Sequence, residues 1–181
     1  MKKFILAAAL ICLTAALAGC VPTERTDIMI DPDFEGKAGV PVDFIQLNND
    51  ALDQIDDKEA FAFVTAVDID GNDDAKTASV AVKCLDVVSE EDCEAFTETL
   101  LKAIGDAAAS QVVEYAPGGK KSFGTFWDAF SVRIEFAKDG EESPFYVYEH
   151  TPGEPFTFKV DPEKYVEEYH RQKEIIEKNA S

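Results

Sequence analysis

The segment from residue 61 to residue 92, FAFVTAVDIDGNDDAKTASVAVKCLDVVSEED, sets the pattern of the folded part of this 181-residue chain. Phe61–Ile69 and Thr77–Val88 place apolar side chains at alternate positions, which is typical of strands with a buried face. The turn-forming run Asp70–Asp74 between them predicts a hairpin. Ser89–Asp92 then opens a helix, because serine is a good N-cap and acidic side chains suit the positive end of the helix dipole.

The sequence after this hairpin predicts one long helix, further strands and a terminal helix. Apolar residues recur at helical spacing and predict the buried stripe of the first helix: Cys93, Phe96, Leu100, Ile104 and Ala107. Alternation predicts further strands at Gln111–Tyr115, Phe126–Phe136, Phe145–His150 and Phe156–Val160. Asp161 and Pro162 predict the start of a last helix. The expected fold is therefore α+β, an antiparallel sheet of five or six strands with one packed helix and a C-terminal helix.

Two shorter segments precede the hairpin. Val40–Leu47 is apolar enough to form an extra strand, and Asp50–Glu59 predicts a short helix. In the second half, Trp127, Tyr146 and Tyr148 are candidates for side chains that face away from the core. Aromatic side chains in such positions line ligand grooves or protein interfaces, although normal packing of the sheet is the simpler interpretation.

The first twenty residues have the pattern of a secretory signal peptide. Lys2 and Lys3 precede the apolar run Phe4–Ala16, which is too short to span a bilayer. The run Leu17-Ala18-Gly19-Cys20 resembles the lipobox of bacterial lipoproteins. The resemblance covers residues 1–20 only and implies that the Cys20 thiol receives a diacylglyceryl group and that the chain is cut before it.

This resemblance also implies a domain organisation. Residues 1–19 are the removed signal peptide, residues 20–40 are a lipidated tether and residues 41–181 are a single α+β domain. The implied contact with the membrane is the lipid on Cys20. Val21 stands where enterobacterial lipoproteins retained at the inner membrane carry Asp, so the resemblance implies the outer membrane.

The charge of the chain excludes one class of partner. The full chain has 17 basic and 36 acidic residues, and residues 1–19 contain two lysines and no acid, so the mature chain carries a net charge of −21. So acidic a chain does not bind nucleic acid by neutralising phosphates, and anionic lipid headgroups repel it. Acidity favours solubility, cations and basic partner surfaces.

Two cysteines are left for the mature domain. Cys12 leaves with the signal peptide and Cys20 is lipidated, which leaves Cys84 and Cys93 in a compartment that permits disulfides. Cys84 is expected near a strand end and Cys93 in the first turn of the next helix. A structural disulfide is the prediction; a metal or redox pair is the alternative, although two thiols without a nearby histidine are too few ligands for zinc.

Acidic residues in the hairpin loop suggest a weak cation site. The candidates sit two apart in sequence: Asp68, Asp70, Asn72 and Asp74. The start of an EF-hand loop has this spacing, but Asp73 stands where that loop needs glycine and Ser79 where it needs glutamate. A solvated turn is the simpler interpretation, and no metal or cofactor is expected.

The sequence carries no catalytic signature. His150 and His170 are the two histidines, the residue type suited to acid–base catalysis near neutral pH, and neither lies beside a nucleophile motif. The predicted function is therefore non-enzymatic, a lipid-anchored cell-envelope lipoprotein acting as an interaction or accessory subunit with a possible envelope protein partner. The alternatives are a periplasmic small-ligand or cation-binding lipoprotein and, third, a hydrolase.

Overall fold

Among the residues that the structure describes, four strands and three α-helices form the fold. The computed structural model describes residues 39–55, 57–119 and 122–180; Cys20, Val21 and the rest of the chain up to residue 38 lie outside them. The elements follow in the order α1 (Phe44–Asp53), β1 (Val64–Asn72), β2 (Thr77–Cys84), α2 (Glu90–Gln111), a 3-10 helix (Thr125–Asp128), β3 (Ser131–Lys138), β4 (Tyr146–His150) and α3 (Pro162–Ala180). The predicted α+β class is confirmed.

The strands form one mixed sheet in the order β1-β2-β3-β4. β1 and β2 form the predicted antiparallel hairpin, although β1 begins at Val64 and continues to Asn72, into the predicted turn. β3 and β4 form a second antiparallel pair. β2 and β3 run parallel, from Thr77 opposite Ser131 to Cys84 opposite Lys138. A parallel pair needs a crossover connection, which contains α2. For the described residues, the prediction of five or six antiparallel strands is therefore wrong in strand number and in the direction of the central pair.

Two predicted strands are helical at their first residues. In the segment Gln111–Tyr115, α2 continues to Gln111 and a turn follows. In the segment Phe126–Phe136, the first residues form the 3-10 helix and the strand begins at Ser131. Helical contacts with the core bury Phe126 and Trp127 here, so their burial does not depend on a strand.

The predicted strand Phe156–Val160 is a loop that pairs with none of the strands in the described residues. The rings of Phe156 and Phe158 pack on Phe123, with ring centroids 4.5 and 5.5 Å away. The alternating aromatic residues therefore indicate that alternate side chains are packed, which an extended loop achieves without a hydrogen-bonded ladder.

The segment before the hairpin is helical where a strand was expected. Helix α1 spans Phe44–Asp53, so the predicted strand Val40–Leu47 and the predicted helix Asp50–Glu59 are both wrong in their bounds. The Asp43 side chain caps α1 by accepting the backbone N–H groups of Ile45 and Gln46. Leu47 and Ala51, four residues apart, give α1 its buried side.

Helix α2 begins and packs as predicted. Ser89 and Asp92 form a capping box, in which each side chain accepts the other residue's backbone N–H. The five residues of the predicted stripe, from Cys93 to Ala107, are all buried. The ring of Phe96 meets that of Phe136 on β3 edge to face at 6.2 Å, so α2 covers the apolar face of the sheet.

The other face of the sheet is mostly polar and exposed. The pairing register aligns Asp70, Ser79, Arg133 and Glu149 across the four strands. Because side chains alternate between the faces of a strand, the buried residues Val80, Val82 and Ile134 lie on the helix-covered side. The described residues thus form two layers, helices on one sheet face.

Helix α3 begins at Pro162 as predicted, and Asp161 caps it by accepting the N–H of Glu163 at 3.1 Å. No residue of α3 is fully buried. The helix is held by Tyr165, whose ring stacks on Phe61 at 5.6 Å and whose hydroxyl donates to Asp92 Oδ1 at 2.7 Å. Asp92 therefore joins the start of α2 to α3.

We expect Asp92→Ala to lower the free energy of unfolding by about 1–3 kcal/mol, because it removes a helix cap and the hydrogen bond to Tyr165. Glu91→Ala is the matched control, since Glu91 is an exposed acid in the same helical turn, and should cost less than about 0.5 kcal/mol. Chemical denaturation measures both. Equal losses in the two variants would contradict the linking role of Asp92.

Candidate functional site

An apolar groove of about 260 Å³ runs beside the first half of β1. Leu52 in the last turn of α1 and Ile55 just after that helix form one wall, and the buried rings of Phe61 and Phe96 border the apolar interior of the groove. The remaining lining residues are Lys58, Ala62, Val64, Thr65, Ala66 and Val67. The groove thus lies between a helix end and the outer edge of the sheet.

The backbone of β1 is covered along only part of this edge. The amide of Ile69 donates to Asn48 Oδ1 of α1 at 2.9 Å, so it points away from β2. At Gly71, a Cβ atom would lie 2.3 Å from the Phe44 ring, so α1 packs directly on the backbone there. Since Phe44 and Asn48 both belong to α1, this helix covers the edge from Gly71 to Ile69.

Val67 faces the same outer edge without such cover. In an antiparallel pair the N–H and C=O groups of alternate residues point to the same side, so those of Val67 point outward like the amide of Ile69. In the described part of the chain, no side chain or backbone group bonds these two outward groups of Val67. Beside the groove there are therefore a donor and an acceptor that no described residue bonds.

A β-bulge lies at the start of this open edge. The pairing register shifts between Val64 and Ala66, which leaves Thr65 without a partner on β2. Thr65 is exposed. Bulges limit strand pairing and occur next to functional sites. The open stretch is therefore short, from Thr65 to Val67.

The groove is small for a free ligand. Pockets for small molecules usually have volumes of about 300–1,000 Å³. A groove of about 260 Å³ that opens beside free backbone groups suits one or two apolar side chains of a peptide. Its geometry favours a protein segment over a separate small molecule.

A second depression, of about 390 Å³, lies on the bare sheet face and includes Arg133 and His150. Arg133 already pairs with two acids, Glu135 at 2.7 Å and Glu149. Its guanidinium is neutralised within the sheet, so this depression offers a ligand little unpaired charge.

The structure does not gather the four candidate cation ligands into a site. Asp68, Asp70 and Asn72 occupy alternate positions of β1 and therefore form a row along one sheet face. Asp74 lies in the following turn, and the Asn72 side chain accepts the amide of Ala75 at 2.9 Å. Within residues 39–55, 57–119 and 122–180, no group of three or more His, Cys, Asp or Glu side chains is arranged to hold a metal ion.

Cys84 and Cys93 lie at the predicted positions, the end of β2 and the first turn of α2. Both are free, buried thiols in the structure. Burial raises the pKa of Cys84 to about 11 and, together with the charge of neighbouring Cys84, raises the pKa of Cys93 to about 12. Such thiols are unreactive at neutral pH. The disulfide between them stays a prediction.

Both histidines have contacts that stabilise the fold. His150 is buried and stacks on Phe156 at 3.9 Å, and desolvation lowers its pKa. His170 Nε2 contacts Asp57 Oδ2 at 2.5 Å, which joins α3 to the loop before β1. That hydrogen bond is the main reason why the pKa of Asp57 is lowered.

Of the two interpretations of Trp127, Tyr146 and Tyr148, the structure bears out normal packing against the core and not an outward orientation. Trp127 is buried and its indole N–H donates to the carbonyl of Leu101 at 3.0 Å. Tyr146 and Tyr148 are partly buried and pack against the core. Their rings contact Phe136 and Phe158 respectively.

Sequence reasoning did not find the groove, because its residues come from α1, the following loop, β1 and α2. One signal was present: Val64, Ala66 and Val67 are all apolar, so strict alternation fails in this part of β1, where the structure has a bulge. Comparisons with family models, curated proteins and solved structures find no match for this chain. In the described residues, no helix is both long and apolar enough to cross a membrane.

Glu98 on α2 is a titratable group outside both depressions. Desolvation raises its pKa to about 7, and the charges of Asp161 and Glu94 add to this shift. A folded-state pKa above the usual 4.5 means that the folded chain holds a proton that the unfolded chain has lost. Stability therefore falls as the pH rises from about 4.5 through about 7.

We expect Glu98→Gln to flatten this pH dependence and to raise the free energy of unfolding at pH 8 by about 1–3 kcal/mol. Glu91→Gln is the control, because Glu91 is exposed on the same helix. Denaturation between about pH 5 and pH 8 measures the slope. Parallel curves for wild type and Glu98→Gln would contradict the raised pKa.

For the cysteines, we expect protein exported to an oxidising envelope to contain a Cys84–Cys93 disulfide. Alkylation of the unfolded protein should label neither residue without a reductant and both after reduction, as read by mass spectrometry. A chain without residues 1–19, kept in reducing cytosol, is the control and should be labelled at both. Full labelling of the exported protein without reductant would show that the disulfide is absent.

Proposed function

We propose that this protein is a lipid-anchored cell-envelope lipoprotein whose folded domain acts as a non-enzymatic interaction or accessory subunit. The anchor is the lipid on Cys20, and Val21 favours the outer membrane. The sequence Leu17-Ala18-Gly19-Cys20 after a short apolar run supports the anchor. Two or more acyl chains hold a protein stably at a membrane, which a single chain does not.

The open half of the β1 edge is the observation that supports an interaction role best. It combines backbone groups of Val67 that no described residue bonds with an apolar groove of about 260 Å³. Extended segments of partner proteins bind such edges by adding a strand, with side-chain pockets giving specificity.

The contacts of the histidines support a non-enzymatic role. His150 stacks on Phe156 and His170 bonds Asp57, so both side chains are engaged in packing or docking. The row of Asp68, Asp70 and Asn72 along one strand gives little support to the alternative of a cation-binding lipoprotein. The small groove volume likewise favours a peptide over a small ligand.

We expect Cys20→Ala to prevent lipidation. The protein should then either move from the membrane fraction to the soluble fraction or accumulate as the uncleaved precursor. Cys12→Ala is the matched control, since Cys12 lies in the apolar run and should leave membrane association unchanged. Cell fractionation followed by mass spectrometry of the mature N-terminus measures both the location and the lipid. Retention of mature, unlipidated Cys20→Ala at the membrane would contradict the anchor.

Crosslinking in intact cells tests the interaction role. We expect the wild-type protein to be recovered reproducibly with the same envelope protein. A wild-type chain that is correctly lipidated but recovers no reproducible partner would overturn the proposed role as an interaction subunit.

A further inference from the structure

A strand added at the open β1 edge would have two different sides. Its alternate side chains would point into the groove, on the helix-covered side, or onto the bare face beside Ala66 and Asp68. The groove side is apolar, with Leu52, Ile55 and Phe61. The bare side next to the open stretch carries the exposed carboxylate of Asp68.

The charges near the groove are mainly negative. Among the described residues, four acids adjoin its lining residues in sequence: Asp53, Asp57, Glu59 and Asp68. Asp57 contacts His170 and Glu59 pairs with Lys173, so Asp53 and Asp68 are the two of these acids without an ion pair to a described residue. Lys58 is the one basic residue among the described residues that line the groove. The end of α1, where Leu52 and Ile55 form a wall, also presents the negative end of the helix dipole. These charges favour a cationic occupant.

Two rival occupants lack this complementarity. A second copy of the chain carries the same formal charge of −19 and would set Asp68 near its own equivalent. The chain's own apolar segment Ile28–Ile30 is flanked by Asp27 and by Asp31, Asp33 and Glu35. Like charges repel in both cases.

We propose that the groove binds an extended, lysine- or arginine-rich segment of a partner protein. The segment adds as a short strand to the outward N–H and C=O groups of Val67, places one apolar side chain against Leu52 and Ile55, and sets basic side chains beside Asp68. This inference rests on the proposed function and names the kind of partner.

A synthetic peptide, Lys-Val-Lys-Leu-Lys-Val-Lys, probes this site in the purified full chain. We expect it to bind, and the proline peptide Lys-Val-Lys-Pro-Lys-Val-Lys, which has the same charge, to bind at least about tenfold more weakly because proline lacks a donor and the apolar side chain is lost. The acidic peptide Glu-Val-Glu-Leu-Glu-Val-Glu should be at least about tenfold weaker as well. Isothermal titration calorimetry measures all three.

Two protein variants locate the binding. Thr65→Lys puts a cation at the open edge, a device that prevents strand pairing, and should weaken binding of the lysine peptide about tenfold. Thr77→Lys makes the same change at the exposed residue Thr77, at the start of β2 and away from the groove. It should weaken binding of the lysine peptide less than about twofold. Circular dichroism checks that both variants fold.

Several results would overturn the proposal: no binding of the lysine peptide at about 1 mM, proline or acidic peptides that bind equally well, or equal losses in the two variants. Crosslinking separates this inference from the proposed function. If Thr65→Lys recovers the same partner as wild type, the interaction role stands and the groove is not where the partner docks. If neither recovers a partner, the interaction role itself is wrong.

Discussion

A mismatch in length between α1 and β1 determines which part of the sheet edge is open. Ten helical residues rise about 15 Å, whereas nine strand residues extend about 30 Å. α1 runs beside the strand with Phe44 on Gly71 and Asn48 bonded to Ile69. The helix ends near the groove. Asn48 therefore accepts the outward amide of Ile69, whereas no residue of α1 bonds the outward amide of Val67.

The same contacts explain why the folded part needs both α1 and α2. The sheet has one apolar face, and α2 covers its centre through Phe96 and the buried residues that follow it. α1 packs against α2 and closes the side of the core next to β1. The bare face stays polar because strand side chains alternate, and its Arg133 is held by neighbouring acids.

Local signals in the sequence predicted a large part of this fold. Ser89 and Asp92 specify the start of α2 through short-range hydrogen bonds, so its position and buried stripe were predictable. The first hairpin was predictable because its turn and alternation lie within one short segment. The parallel pairing of β2 with β3 was not, because strand direction depends on where the chain returns after α2. Phe156 and Phe158 alternate like strand residues, yet they pack on Phe123 from a loop.

Local patterns in the sequence predicted even less of the candidate site than of the fold. The groove needs Leu52 and Ile55 from one helix end to meet Phe61, Val67 and Phe96, which no single segment encodes. The sequence did indicate the general chemistry of a partner, since a chain with a net charge of −19 favours basic surfaces. The structure adds a candidate place for such a partner, the groove beside β1, and the hydrogen bond from Ile69 to Asn48 explains why the open edge ends at Ile69.

Amide hydrogen exchange in the free full-length protein tests the open edge most directly. The amides of Val67 and Ile69 both point outward from β1 and lie two residues apart, so each serves as the other's reference. The account predicts slow exchange at Ile69, whose amide bonds Asn48, and fast exchange at Val67. Equal protection of the two amides, or a Val67 amide slower than that of Ile69, would contradict an open edge beside the groove.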